Sequence, residues 1–208
     1  MSTGIFTWIF IFLWGLFSVY CLQAQEVHYG VKGGLNMSTL VGDAQDDKPV
    51  VYSAEYKPTY HLGGFVNAKL SERFGIHTEI LYSKQGAYDR SDKNPNQINY
   101  KFSYANFPII AKYYPIENFH FDAGIQLSIL LEANRQIGDS VIYIITQQLS
   151  STDFGLCFGF GYELPNTSIS INLRYMQGMN NIASNQWNPK EEKLANRLIQ
   201  LSLGWAFH

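Results

Sequence analysis

The chain has 208 residues, with 15 Lys and Arg against 17 Asp and Glu, and a formal net charge of -2. Hydrophobic residues make up 46% of it, aromatic residues 15% and charged residues 15%. Abundant aromatic residues and low net charge exclude an intrinsically disordered chain. A single long apolar run excludes a bundle of membrane-spanning helices, and the charge balance gives no basic surface for nucleic acid.

The N-terminal segment has the features of an export signal. Residues 5–22 are almost wholly apolar, and the first charged residue is Glu26. Ala24 is a small residue at the −1 position of a signal-peptidase site. We therefore predict a signal peptide over residues 1–24 and one domain over residues 25–208. The alternative is an uncleaved membrane anchor, because the run is long enough to span a bilayer.

Beyond the signal, hydrophobic residues recur with a period of two, which is typical of β-strands. In the last segment, Ile199, Leu201, Leu203, Trp205 and Phe207 alternate with small or polar residues. This alternation predicts eight strands, near residues 28–40, 58–70, 74–88, 100–114, 118–133, 151–164, 167–179 and 195–207. The short links between them are residues 71–73, 115–117 and 165–166. Short links alternate with long polar ones. This indicates an up-and-down meander in which all the short links lie at one end of the strands and all the long ones at the other.

The face that meets lipid or water decides the class of this barrel. In a soluble barrel the apolar phase points inward, and the other phase is a solvated surface. Here that other phase is rich in Gly, Ser, Asn and Gln and poor in charge, so it suits a narrow lumen better than a solvated face. Aromatic residues near the strand ends suit the two membrane interfaces; they are Tyr29, Tyr113, Tyr162, Tyr175, Trp205 and Phe207. We therefore predict an all-β, eight-stranded antiparallel transmembrane β-barrel of the outer-membrane type.

Three segments resemble a known family. Residues 29–40 (YGVKGGLNMSTL) resemble the first strand of the outer-membrane β-barrel family of Bacteroidetes, often called PorT-like or porin family. Residues 79–86 resemble its third strand and residues 106–114 its fourth. The resemblance covers the chain after the signal and implies a barrel in the outer membrane of a Gram-negative cell. One departure is the C-terminus, where His208 follows the aromatic Phe207 that assembly machinery would read.

Five charged residues fall in the inward phase: Lys32, Glu79, Lys112, Asp122 and Arg174. An unpaired buried charge costs several kcal/mol, so we expect them to pair. The prediction is a salt-bridge network that plugs the lumen. The alternative is a gated ion or proton path along the same groups.

Catalysis has weak support in the sequence. His77, Glu79 and Ser83 share one face of a predicted strand and could form a relay, although such spacing is common by chance. His61 and His120 are also assigned inward, where a histidine is more often a hydrogen-bond partner. We predict no catalytic, cofactor-binding or metal-binding residues, and no enzyme. The glycines at 30, 33 and 34 lie within a strand, so they fail the context of a dinucleotide motif.

The predicted function is structural, or a surface interaction through four extracellular loops near residues 41–57, 89–99, 134–150 and 180–194. Residues 140–145 are apolar enough to extend a hairpin above the membrane. The alternatives are a narrow pore, a lipid-modifying enzyme and, from the family label, a secretion accessory. Expected partners are outer-membrane lipid, the barrel-assembly machinery and a ligand or protein at the loops. We expect a monomer, because a closed barrel has no edges to hide.

Overall fold

The structure is a computed structural model, and it describes residues 26–43, 55–89, 98–138, 141–183 and 193–207. The predicted signal peptide, residues 1–24, lies outside the described residues, as do parts of all four predicted loops.

Eight long strands and one short strand make up nearly all of the described chain. They are β1 (Glu26–Asp43), β2 (Glu55–Lys69), β3 (Phe74–Asp89), β4 (Ile98–Ile116), β5 (Phe119–Ile137), β6 (Val141–Ile144), β7 (Thr152–Glu163), β8 (Ile169–Gly178) and β9 (Lys193–Phe207). A 3-10 helix, Thr146–Gln148, precedes β7. In these ranges no helix is long and apolar enough to cross a membrane.

The eight long strands form a closed antiparallel ring. Each pairs with its neighbours in the chain, and β5 pairs with β7 because β6 lies outside the ring. The first and last strands close it along a register that runs from Tyr29 opposite Phe207 to Asp43 opposite Lys193. The ring confirms the predicted fold, and all eight predicted strands are present.

One rim of the ring has short connections. β2 and β3 are joined by residues 70–73, β4 and β5 by 117–118, and β7 and β8 by 164–168. Asn118 and Asn166 adopt left-handed backbone conformations, with φ of 67° and 58°, which asparagine tolerates better than most residues. The prediction of a turn over residues 115–117 was wrong at its start. Pro115 and Ile116 belong to β4, because their strand pairs with β5 up to Ile116 opposite Phe119.

The outer face of the ring is apolar. Leu35 is 63% exposed, Ile80 65% and Leu203 60%, while their sequence neighbours Asn36, Glu79 and Ser202 are buried. The aromatic residues predicted for the interfaces are all exposed on this face. Because every long strand pairs on both sides, the backbone polar groups are satisfied within the sheet, as a hydrocarbon surrounding requires. The predicted assignment of the two phases is confirmed.

At the other rim the sheet continues beyond the ring. β6 pairs with the end of β5, from Asn134 opposite Ile144 to Ile137 opposite Val141. The hairpin predicted to extend over residues 140–145 is thus present over residues 141–144, while Ser140 lies outside the described residues. An isolated bridge between Leu149 and Ala183 then links two of the long connections.

Candidate functional site

The interior of the ring carries the candidate site. The five charged residues predicted to face the lumen all do so, and each is only 2–4% exposed. They come from five strands, β1, β3, β4, β5 and β8. Each is placed by the alternation of its strand, since every second side chain points inward.

Glu79 is the centre of the first cluster. Its Oε1 accepts hydrogen bonds from Lys32 Nζ at 2.7 Å and from His77 Nε2 at 2.8 Å. Arg174 donates from Nη1 to Oε2 and from Nη2 to Oε1, both at 2.8 Å. In the ring, β3 and β8 are separated by four strand-to-strand steps in either direction. The Arg174–Glu79 pair therefore spans the full width of the lumen.

Lys112 and Asp122 belong to a second cluster, nearer the rim with short connections. His120 Nδ1 contacts Asp122 Oδ1 at 2.6 Å, and His120 Nε2 contacts Lys112 Nζ at 3.2 Å. Lys112 Nζ also lies 3.7 Å from Glu163 Oε1, which accepts a hydrogen bond from the Tyr114 hydroxyl at 2.9 Å. The five predicted residues are thus divided between two clusters.

The sequence placed His120 inward as a hydrogen-bond partner but not in the charge network, and it gave no sign of Glu163. Two histidines use the same local pattern: His77 contacts Glu79, and His120 contacts Asp122, each two positions ahead. Residues i and i+2 of a strand share one face. A histidine two positions before an inward acid was therefore a usable signal at both places.

A third polar group surrounds His61. Its Nδ1 lies 2.8 Å from Asn36 Oδ1, and its Nε2 lies 2.9 Å from Ser202 Oγ. Asn36 Nδ2 donates to the carbonyl oxygens of Tyr60 and Lys84 and to Ser83 Oγ. Asn36 Oδ1 therefore acts as the acceptor. This fixes the His61 proton on Nδ1 in the neutral ring and leaves Nε2 to accept from Ser202.

Chemically, Asn36, His61 and Ser202 have the arrangement of an orienting group, a base and a nucleophile. However, Ser202 is only 2% exposed, so a substrate cannot reach its hydroxyl without a rearrangement. The predicted relay of His77, Glu79 and Ser83 is formed only in its first half. Ser83 Oγ instead accepts hydrogen bonds from Asn36 and Gln85.

The lumen also contains apolar side chains, contrary to the predicted small or polar filling. Ile110, Cys157, Met176 and Leu198 form one buried cluster. Met176 fits because Gly155 faces it: a Cβ built on Gly155 would lie 2.7 Å from Met176 Sδ. The glycine leaves the space that the methionine fills.

A second apolar cluster covers the rim with long connections. Phe102, Tyr104 and Leu130 from the wall pack with Ile145, Leu149 and Ile182 from the connections. The bridge between Leu149 and Ala183 and the hydrogen bond from Ser150 N to the Ile182 carbonyl tie these connections together across the mouth. At this rim the described parts of the connections therefore pack against the inner wall through apolar side chains.

The opposite rim has a small open cavity of about 170 Å³. Asn67, His77, Lys112 and Glu163 contribute to its wall. Across the described ranges no group of three or more His, Cys, Asp and Glu side chains is arranged to hold a metal ion.

Comparison with protein families identifies one match. The family described as "Outer membrane protein beta-barrel domain" matches residues 23–184. A search of curated proteins gives no match.

Solved structures that this chain resembles include three bacterial proteins. Neisserial surface protein A has a TM-score of 0.53 at 11% identity, covering 88% of this chain and 100% of that one. Ail of Yersinia pestis, in complex with the heparin analogue sucrose octasulfate, has a TM-score of 0.48 at 14% identity, with coverage of 88% and 100%. OprG of Pseudomonas aeruginosa has a TM-score of 0.42 at 13% identity, with coverage of 88% and 94%.

Proposed function

The chain belongs to the family of outer membrane protein beta-barrel domains, and from this membership we propose a non-conducting, non-enzymatic barrel whose role lies in its surface loops. The fold and the outer-membrane location follow from the family and the structure. The closed lumen, the absence of catalysis and the loop function are the proposal.

The observation that carries the proposal is the ion pair across the lumen. Arg174 and Glu79 join opposite walls, and Lys32 and His77 complete the coordination of the same carboxylate. Moving an ion past this group would require the separation of buried charges, which costs several kcal/mol for each charge left unpaired. The apolar cluster at the far mouth adds a second barrier.

If the lumen neither conducts nor catalyses, the function of the chain must lie in its surface loops. A rigid scaffold with variable connections is a common way to build a binding surface. We propose that the rim with short connections faces the periplasm, together with the start of β1 and the end of β9. The four long connections then face the outside of the cell. The resemblance of residues 29–40, 79–86 and 106–114 supports placing the chain in the PorT-like branch of Bacteroidetes. The apolar run at residues 5–22 supports export by a signal peptide that is cleaved after Ala24.

Planar-bilayer recording of the refolded protein tests the closed lumen. We expect no steady current above the baseline of the bilayer. A steady current of porin size would contradict the plug and favour the alternative of a narrow pore. Heat-modifiable gel migration of the same sample shows whether the barrel is folded. A lack of current can then be attributed to a closed lumen and not to unfolded protein.

A lipid-modifying enzyme is the second candidate, favoured by the contacts of His61 with Asn36 and Ser202. The burial of Ser202 opposes it. Incubation with labelled phospholipid or lipopolysaccharide, comparing the wild type with Ser202→Ala, separates the two functions. We expect no product from either protein. Product formation that depends on Ser202 would contradict the non-enzymatic proposal.

A further inference from the structure

An outward groove lies at the rim with long connections, between β1, β8 and β9. Its volume is about 370 Å³, and its wall includes Val41, Gln177, Asn180 and Arg197. The outward residues of β9 between this groove and Phe207 are apolar and exposed, so a guanidinium group at the groove needs an explanation.

The position of the groove follows from the sheet register. Met37, Ile199 and Tyr175 are opposite one another on adjacent strands and form an exposed row of the lipid-facing wall. Two residues further along, Arg197 lies opposite Thr39 on one side and opposite Gln177 on the other. Counted along β9 from Phe207, Arg197 is therefore the first charged residue, and it lies one row beyond this exposed apolar row. This is where the headgroups of a bilayer meet a barrel that has an aromatic interface.

The guanidinium group is held by a short chain of hydrogen bonds. The Tyr175 hydroxyl donates to Gln177 Oε1 at 2.8 Å, and Arg197 Nε donates to the same oxygen at 3.1 Å. Gln177 Nε2 is used in a bond to the Gly178 carbonyl at 3.1 Å. Tyr175 orients Gln177, and Gln177 in turn holds Arg197 through Nε, which leaves the two terminal nitrogens as donors. Within the described ranges, neither terminal nitrogen has a carboxylate partner.

We propose that Arg197 binds the phosphate group of a membrane lipid in the leaflet next to the long connections. This inference rests on the proposed function only for the orientation of the barrel in the bilayer. The two terminal nitrogens of a planar guanidinium suit a phosphate, which they can hold by two parallel charge-assisted hydrogen bonds. The apolar row of Met37, Ile199 and Tyr175 offers a surface for the acyl chains of the same lipid. Asn180 adds an exposed amide at the wall of the groove.

Native mass spectrometry of the purified full-length protein in detergent tests this site. The probes are a phosphatidic acid and a diacylglycerol with the same acyl chains, so that only the phosphate differs. Arg197→Gln removes the charge, and Arg73→Gln is the matched control because Arg73 is exposed at the opposite rim. We expect Arg197→Gln to lower the affinity for phosphatidic acid about fivefold, the effect of about one basic residue near a membrane surface. Arg73→Gln should leave it unchanged, and diacylglycerol should bind all three proteins alike.

Added inorganic phosphate distinguishes the headgroup from the free anion. Partial competition with phosphatidic acid, dependent on Arg197, supports recognition of the phosphate group within a lipid. Binding of inorganic phosphate without any preference for phosphatidic acid over diacylglycerol would overturn the lipid proposal. Equal binding of phosphatidic acid by wild type and Arg197→Gln would also overturn it.

Two further controls keep this test independent of the proposed function. Heat-modifiable migration establishes that Arg197→Gln is folded. If it is not, Arg197→Lys replaces it, with a smaller loss of affinity expected because the positive charge is kept and only the planar pair of donors is lost. If the proposal of a closed lumen is wrong, bilayer recordings will show a current. If the proposal of a lipid site is wrong, those recordings will still show no current, and only the lipid affinities will differ from expectation.

Discussion

Arg174 and Glu79 lie 95 positions apart in the chain and on opposite walls of the ring, yet they share two hydrogen bonds of 2.8 Å. The pair is a strut across the lumen as much as a pair of opposite charges. Its two donors and two acceptors are coplanar groups, so it also restricts how the two walls can shift relative to one another.

Loss of the Glu79 carboxylate should destabilise the barrel strongly. Glu79→Gln leaves Lys32 and Arg174 buried without a countercharge, and breaking a buried pair in this way costs about 3–5 kcal/mol. Urea unfolding of the refolded protein in lipid or detergent measures the loss. Glu117→Gln, at an exposed turn position, is the control and should change the stability by no more than about 0.5 kcal/mol. If Glu79→Gln has the same urea midpoint of unfolding as the wild type, the Arg174–Glu79 pair does not stabilise the barrel as described.

Two adjacent glycines of β2 should respond differently to the same methyl group. A Cβ on Gly63 would lie 1.9 Å from the backbone oxygen of Ile80, whereas a Cβ on Gly64 finds its nearest atom at 3.5 Å. Gly63→Ala must therefore displace the neighbouring strand, at a cost of about 1–3 kcal/mol. Gly64→Ala should be close to neutral. Unfolding midpoints of both variants check this, and equal values would show that the two strands do not approach as described.

A charge on the outer wall should report the depth of each position in the bilayer. Leu203 lies midway along the exposed face of β9, and Val27 lies near the rim at the start of β1. Leu203→Arg is expected to cost about 2–4 kcal/mol and Val27→Arg about 0–1 kcal/mol. Unfolding from lipid vesicles measures both. If the two substitutions have similar effects, the apolar face does not sit in hydrocarbon.

The lumen should fix two histidines in opposite tautomers. Asn36 Oδ1 accepts from His61 Nδ1, whereas Glu79 Oε1 accepts from His77 Nε2. In the neutral rings, His61 therefore carries its proton on Nδ1 and His77 carries its proton on Nε2. Long-range proton–nitrogen NMR spectra of protein labelled at histidine distinguish the two forms. Asn36→Ala should release the preference of His61 alone, and a proton on Nε2 of wild-type His61 would refute the assignment.

The ring could be predicted from the sequence because each strand reveals its own two faces. The alternation of Ile199 to Phe207 with small residues holds whatever the neighbouring strands are. The inward position of Glu79 and Arg174 follows from the same local rule. Their partnership does not, because it depends on which strands lie four steps apart in a closed ring.

The apolar filling could not be predicted from alternation. Met176 and Leu198 lie in the inward phase of their strands, where the period of two gives no reason for a large apolar side chain. The space for Met176 exists because Gly155 lies on the neighbouring strand. Likewise, Ile145 and Ile182 come from connections, and only the packing of those connections against the wall brings them together. Such contacts depend on tertiary geometry, which one strand does not encode.

The pairing of β1 with β9 places the two ends of the sheet side by side. The contact between Gln200 and Asn36 links residues 164 positions apart. The β1–β9 pairing therefore joins the strand of the ring that is synthesised first to the one that is synthesised last. Until β9 docks, the other strands form an open sheet with two unsatisfied edges, which are prone to pair with a wrong chain. Folding is therefore expected to be slow and dominated by non-local contacts. A newly made chain would therefore need its unpaired β1 edge to be protected until the other strands have assembled and β9 pairs with it.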